Sequence, residues 1–144
     1  MKSEASKELY EYIIKAFEST CDDLGLTEES LPSYTAYMTY EKFISLSQRL
    51  HLFFEPNLGC VALKEKGDGF EIKWLCVDEM IRHQGKGKRI LSFCETYGLA
   101  QKKSFLSLGC YKENHILIEW YEEKGFVMKK SRKDHLICFM KKRL

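Results

Sequence analysis

Between Phe70 and Cys110 the chain passes from an extended run through a glycine-bearing loop into a helical stretch, then back to an extended run. Phe70 to Val77 reads as a strand. From Gly85 to about Gln101, Ile90, Cys94 and Tyr97 recur at the helical period with Leu91 beside them, and Ser104 to Cys110 is strand-like again. A strand, a helix and a second strand in that order require a crossover, which returns the second strand parallel to the first. The segment therefore sets the fold class as α/β (or α+β) with a mixed sheet.

The flanking sequence adds to this unit without interrupting it. Leu9, Ile13, Ala16 and Phe17, followed by Cys21, predict an amphipathic helix from Ser3 to about Leu24, ended near Gly25. Residues 25 to 35 read as a loop, after which Thr39 is an N-cap for a second helix through Phe43, Ile44 and Leu46 to about Arg49. Leu50 to Glu55, Leu58 to Lys64 and Phe70 to Val77, separated by Pro56-Asn57 and Gly67-Asp68-Gly69, predict a three-stranded meander. His115 to Lys124 gives a further helix carrying Ile116, Leu117, Trp120 and Tyr121, stopped by Gly125. Phe126 to Lys130 and His135 to Lys141 read as a closing hairpin, with Lys129, Lys130, Arg132 and Lys133 as its basic turn, either solvated or facing an acidic substrate. With 144 residues and no repeat or linker, 1–144 reads as one domain.

Composition removes several classes. The chain is 44% hydrophobic and 31% charged with 2 prolines, which are the proportions of a folded protein and not of a disordered or collagenous one. No apolar run approaches the roughly 18 residues of a membrane span, and MKSEASKEL lacks the apolar segment of a signal peptide, so the expectation is a soluble cytoplasmic protein. Cys21, Cys60, Cys76, Cys94, Cys110 and Cys138 form no C-x-x-C pair and are expected to be small buried hydrophobes in a reducing compartment. His51, His83, His115 and His135 form no i,i+4 ligand pair, so no metal is expected. Charge is distributed unevenly: up to Met80 there are 8 Lys and Arg against 15 Asp and Glu, a balance of −7, and from Ile81 onward 15 against 6, a balance of +9. Such asymmetry fits nucleic acid, an acidic partner or a phosphorylated ligand. An RNA or DNA surface is disfavoured by the lack of an RNP-like aromatic strand or a recognition helix.

The segment that carries chemistry is Val77-Asp-Glu-Met-Ile-Arg82-His83-Gln84-Gly85-Lys86-Gly87-Lys88-Arg89-Ile90-Leu91. A strand leading through glycines into a helix gathers unpaired N–H groups and the positive end of a helix dipole, which together make an anion site. Two familiar phosphate loops do not fit. The dinucleotide fingerprint needs glycine where Ile90 stands, and the Walker loop needs glycine at Arg82 and Ser or Thr at Arg89. Lys86, Lys88 and Arg89 at a helix N-terminus oppose the macrodipole unless an anion is bound there. On spacing alone the segment is either a diphosphate site or a turn with solvated cations.

The same segment resembles the acyl-CoA-binding element of GNAT-type N-acetyltransferases, with Arg82, Gly85 and Gly87 matching R-x-x-G-x-G. About 30 residues on, Asn114 followed by Trp120-Tyr121-Glu-Glu-Lys-Gly125-Phe126 is similar to the family's N-x-x-A-x-x-x-Y-x-x-x-G-F element. The resemblance covers roughly residues 50 to 140. It implies a GNAT fold whose mixed central sheet holds a splayed parallel strand pair flanked by helices, and acetyl-CoA as cosubstrate without a metal. It further implies that backbone groups from Arg82 through His83, Gln84, Gly85, Lys86, Gly87 and Lys88 hold the CoA diphosphate, that Cys76 and Val77 line and pair with the pantetheine arm, that Asn114 hydrogen-bonds it, and that Tyr121 stands near the sulfur. Two departures stand out. The chain opens on a helix where the family usually opens on a strand, and Ile118 fills the second motif's small-residue position.

Acetyl transfer to an amine needs a neutral amine, a polarised thioester carbonyl and a proton for the departing thiolate. Glu71 is the candidate base because Glu71, Lys73, Leu75 and Val77 alternate onto one face of the strand leading to the loop, and some family members use a strand glutamate; the plainer alternative is an outward solvated carboxylate. Tyr121 is the candidate acid, the alternative being core packing. The resulting expectation is an N-acetyltransferase acting on a small-molecule or peptide amine as a monomer or homodimer. A non-catalytic acyl-CoA sensor of the same fold is the alternative. The acceptor pocket, made by the first two helices and their loop, carries no motif.

Overall fold

The computed structural model describes residues 2–30, 34–77, 85–129 and 136–144. Helix α1 (Lys7–Leu24) begins where the Ser6 hydroxyl accepts from Leu9 N at 3.2 Å and ends at Gly25, whose φ of 65° is left-handed. It starts later than its apolar stripe suggests because Ser3 is bound elsewhere: its N–H donates to the Leu52 carbonyl at 2.7 Å and its hydroxyl accepts from Phe54 N at 2.9 Å. A 3-10 turn (Thr35–Tyr37) begins at the last residue of the stretch read as loop, and α2 (Tyr40–Ser47) follows, capped by Thr39 as expected, with Lys42 N donating to its hydroxyl at 3.2 Å. No helix among the described residues is long and apolar enough to cross a membrane.

Strands β1 (Leu50–Glu55), β2 (Gly59–Lys66) and β3 (Gly69–Cys76) form the antiparallel meander. Helix α3 (Lys86–Ala100) crosses over to β4 (Phe105–Tyr111), which pairs parallel with β3, and α4 (His115–Glu123) leads to β5 (Val127–Met128) and β6 (Ile137–Arg143). The sheet order is β1-β2-β3-β4-β6-β5. The last strand thus inserts beside β4 and leaves β5 at the edge. Part of the expected hairpin and most of its basic turn, residues 130–135, lie outside the described residues.

Each face of the sheet buries its own core. Phe70, Leu106, Met140, Leu91 and Cys94 pack under α3 and α4, while Leu9, Ile13, Phe43 and Trp74 pack under α1 and α2. Each such side chain contributes roughly 1.5–3 kcal/mol by leaving water. All six cysteines are buried, as their apolar neighbours suggested.

One irregularity in β3 sets up everything that follows. Ala62 pairs with Lys73 but Cys60 with Cys76, so β3 carries one residue more than β2 over that span. The extra residue sits at Trp74, whose φ of 51° is left-handed and uncommon for a bulky aromatic. This bulge corrects the expected alternation. Phe70 and Ile72 face the α3 side, and past the bulge so do Leu75 and Val77, while Trp74 and Cys76 pack with α1 and α2. Glu71, alternating with Phe70 and Ile72, therefore shares a face with Lys73 but not with Leu75 or Val77.

Candidate active site

The parallel ladder between β3 and β4 runs from Gly69–Phe105 to Ile72–Leu108 and stops there. Beyond it the bulge in β3 swings that strand away, and β4 continues paired with β6 as far as Tyr111–Ile137. Two parallel strands that separate partway leave a wedge with backbone edges on both sides, a place where an extended chain can lie.

At the top of the wedge α3 begins without a side-chain cap. Its N-cap is Gly85 at φ 74°, a conformation in which a side chain is strained, and the first helical hydrogen bond is Arg89 N to Gly85 O at 3.1 Å. Lys86, Gly87 and Lys88 thus direct backbone N–H groups outward from the positive end of the helix dipole. Gly87 serves by close approach, since a Cβ there would lie 3.3 Å from Trp120 Cζ2 on α4. The two motif segments recognised separately in sequence are neighbours here. Arg82, His83 and Gln84 lie outside the described residues.

Asn114 is the N-cap of α4, its Oδ1 accepting from Leu117 N at 3.3 Å. Its amide nitrogen has no hydrogen bond to another described residue, so capping and ligand contact are compatible. Ile118 is buried in the core under α3 and α4. Cys76 ends β3 with its sulfur 2.9 Å from that of Cys60, and burial pushes the Cys60 thiol up. Burial likewise pushes Cys94 and Cys110 up to about 12, which leaves both thiols protonated and unreactive.

On the other face a cleft of about 1030 Å3 runs between α2 and the sheet, bounded by Phe17, Tyr34, Tyr37, Trp74 and Phe139, with Tyr121 and Leu117 reached through the wedge. Glu71 lines it and is 7% exposed, its carboxylate 3.4 Å from Lys73 Nζ and 4.0 Å from Lys66 Nζ. The solvated carboxylate considered from sequence is thus replaced by a buried, ion-paired one. Neighbouring Ser107, registered against Glu71 on β4, has a buried hydroxyl with no hydrogen-bond partner. Sequence reading missed Lys66, Trp74 and Ser107. None belongs to a motif, and only the bulge brings Trp74 to this face.

Tyr121 is the hinge of the arrangement. It is 5% exposed, packs in the α3 and α4 core against Phe126 and Trp120, and yet borders the cleft on the opposite face. Burial, with the nearby Cys110, Cys94 and Cys76, pushes its phenol well above the usual range, and its hydroxyl has no hydrogen bond to another described residue. It is a neutral donor at the edge of the cleft. Among the described residues no group of three or more His, Cys, Asp or Glu gathers.

Residues 7–126 match the model of the acetyltransferase (GNAT) family, and the chain belongs to that family. No curated protein matches. The fold is shared with solved structures of low identity: PaiA N-acetyltransferase from Thermoplasma acidophilum in complex with coenzyme A (19% identity, TM-score 0.76, covering 94% of this chain and 91% of that one), an acetyltransferase from Streptococcus agalactiae (12%, 0.71, 100% and 96%) and a GNAT family acetyltransferase from Elizabethkingia anophelis with acetyl-CoA bound (16%, 0.63, 74% and 84%). Family and fold together make the chain an acyltransferase that binds an acyl-CoA, and its mixed sheet with the parallel β3–β4 pair is the GNAT fold.

Proposed function

We propose that the protein moves an acetyl group from acetyl-CoA to a primary amine, as a single-domain cytoplasmic enzyme that is a monomer or homodimer. The observation that carries this reading is the position of Tyr121, in the core of one face and at the edge of a cleft on the other. A hydroxyl placed there stands between two substrates entering from opposite faces of the sheet.

In this reading the segment from Arg82 through His83, Gln84, Gly85, Lys86, Gly87 and Lys88 holds the CoA diphosphate on backbone N–H groups. Cys76 and Val77 line the wedge along the pantetheine arm, and the Asn114 amide donates to it. The acceptor amine enters from the α2 side and its nitrogen attacks the thioester carbonyl carbon. The C–N bond forms as the C–S bond breaks. Glu71 takes the proton shed by the amine, directly or through water, and the Tyr121 hydroxyl donates to the departing sulfur. Burial keeps the phenol protonated, so its hydroxyl is available as a donor as charge builds on sulfur. Solvent returns the proton to Tyr121 and removes the one on Glu71.

The test is thiol release from acetyl-CoA across amino acids, peptides, polyamines and other small amines. Amine-dependent release is the expected result. Tight CoA binding with no acceleration by any amine would leave the acyl-CoA sensor in its place.

A further inference from the structure

The acidic half of the chain builds a cationic cleft. Residues up to Met80 carry 8 Lys and Arg against 15 Asp and Glu, and α1, α2 and β1 to β3 all belong to that half. Yet among the described residues the charged groups lining the cleft are Lys42, Arg49, Lys64 and Lys73, with Glu71 the one carboxylate. Lys42 stands on α2 and Arg49 in the turn just beyond its end at Ser47, and both line the cleft. Lys64 is registered directly beside Glu71.

Glu71 is already matched by Lys73 and Lys66. Lys42, Arg49 and Lys64 are left without a carboxylate partner among the described residues. Tyr34 and Tyr37 add no negative charge, because burial raises the first phenol and a hydrogen bond with Cys21 pushes the second up to about 12. Asp22 and Glu28 act on Tyr37 from the end of α1 and the turn after it, but neither lines the cleft. Three uncompensated cations around a concave, partly apolar wall focus positive potential into it. Such a cleft attracts an anion and repels a second ammonium group.

We propose that the acceptor is an amine bearing an anionic group, carboxylate or phosphate, at the end remote from the reacting nitrogen, held by Lys42, Arg49 and Lys64, and that diamines and polyamines are rejected. This rests on the reading of the cleft as the amine site.

The experiment uses the CoA-saturated protein and a matched set of probes of increasing methylene length: ω-amino carboxylates, ω-aminoalkyl phosphates, the neutral ω-amino amides and the α,ω-diamines. Binding is measured by calorimetry and acetyl transfer by thiol release with acetyl-CoA. The anionic probes are expected to bind at least about tenfold more tightly than the diamines at low salt, with the margin shrinking as ionic strength rises. Whether carboxylate or phosphate binds better identifies the anion. Arg49→Glu with Lys64→Glu should turn the preference toward the diamine while CoA affinity holds, a gain that misfolding does not mimic. Equal binding of diamine and anionic probes, or binding of neither to the CoA complex, overturns the proposal. Failure of CoA itself to bind overturns the acyltransferase site beneath it, and the two failures are read in separate titrations.

Discussion

On the proposed reading, the two faces of the sheet hold their substrates in different ways. Under α3 and α4 the site is made of backbone: a helix start with no cap, a glycine at positive φ, and a second glycine where two helices touch. Under α2 it is made of side chains: Lys42, Arg49, Lys64 and Glu71 around an aromatic wall. Backbone recognition demands particular residue types at fixed spacing, because only glycine permits the approach. Side-chain recognition demands only charge and reach, which many residues at many positions can supply. The first kind of site therefore leaves a motif and the second leaves none.

Tyr121 tests the boundary between the faces and should give the largest effect. Tyr121→Phe keeps the ring against Phe126 and Trp120, and the hydroxyl it removes has no hydrogen bond to a described residue. Turnover with an identified acceptor should fall by roughly a hundred- to ten-thousand-fold, the range of a lost general acid, with the melting temperature and the KM for acetyl-CoA nearly unchanged. A turnover that survives alongside an altered melting temperature would place the phenol in the core alone.

Gly85→Val and Gly87→Val separate the faces directly. The first forces a β-branched residue into φ 74°, and the second places a branched side chain against Trp120 at the start of α3. CoA affinity should drop by about a hundredfold or more, which is roughly 2.7 kcal/mol, while the binding of anionic amine probes is lost only to the extent that it needs CoA in place. Near-native CoA affinity in both variants, measured by calorimetry, would mean that the loop is a turn and nothing more.

The strands, the helices and the crossover were legible because apolar periodicity and caps are local. Thr39 and Gly125 sit where sequence placed them, as cap and as left-handed stop at φ 98°. The bulge at Trp74 was not legible. Phe70 to Val77 reads as an unbroken strand, and the extra residue is visible only against β2, in the change from the Ala62–Lys73 pair to the Cys60–Cys76 pair. That single register shift moves Leu75 and Val77 away from Glu71's face. A period-two count along one strand has no access to its partner. The start of α1 failed for the same reason, since Ser3 is withdrawn from the helix by β1, some 50 residues away in sequence.

The smallest effect comes from His51, which measures how dry the α3 side is. His51 stands on β1 with Nδ1 2.8 Å from the Tyr97 hydroxyl, its ring edge-on to Phe70 and Tyr97, and Nε2 3.9 Å from Glu65. Burial lowers its pKa below 6.5 and Lys2 and Lys103 push the same way, against Glu65, which raises it. Folded protein then holds fewer protons on this ring than the unfolded chain does. Unfolding takes up a proton in the interval between the lowered value and 6.5, so stability rises with pH across that interval and is lost as pH falls through it. His51→Gln keeps a hydrogen-bonding partner for Tyr97 but does not titrate there. The melting temperature of the native protein should therefore fall more steeply than that of the variant as pH drops below about 6.5, and the two curves should run parallel above it. The pull of Glu65 against burial and the two lysines keeps the effect small. A native curve parallel to that of the variant throughout, or one rising toward low pH, would show that Glu65 and not burial governs the ring.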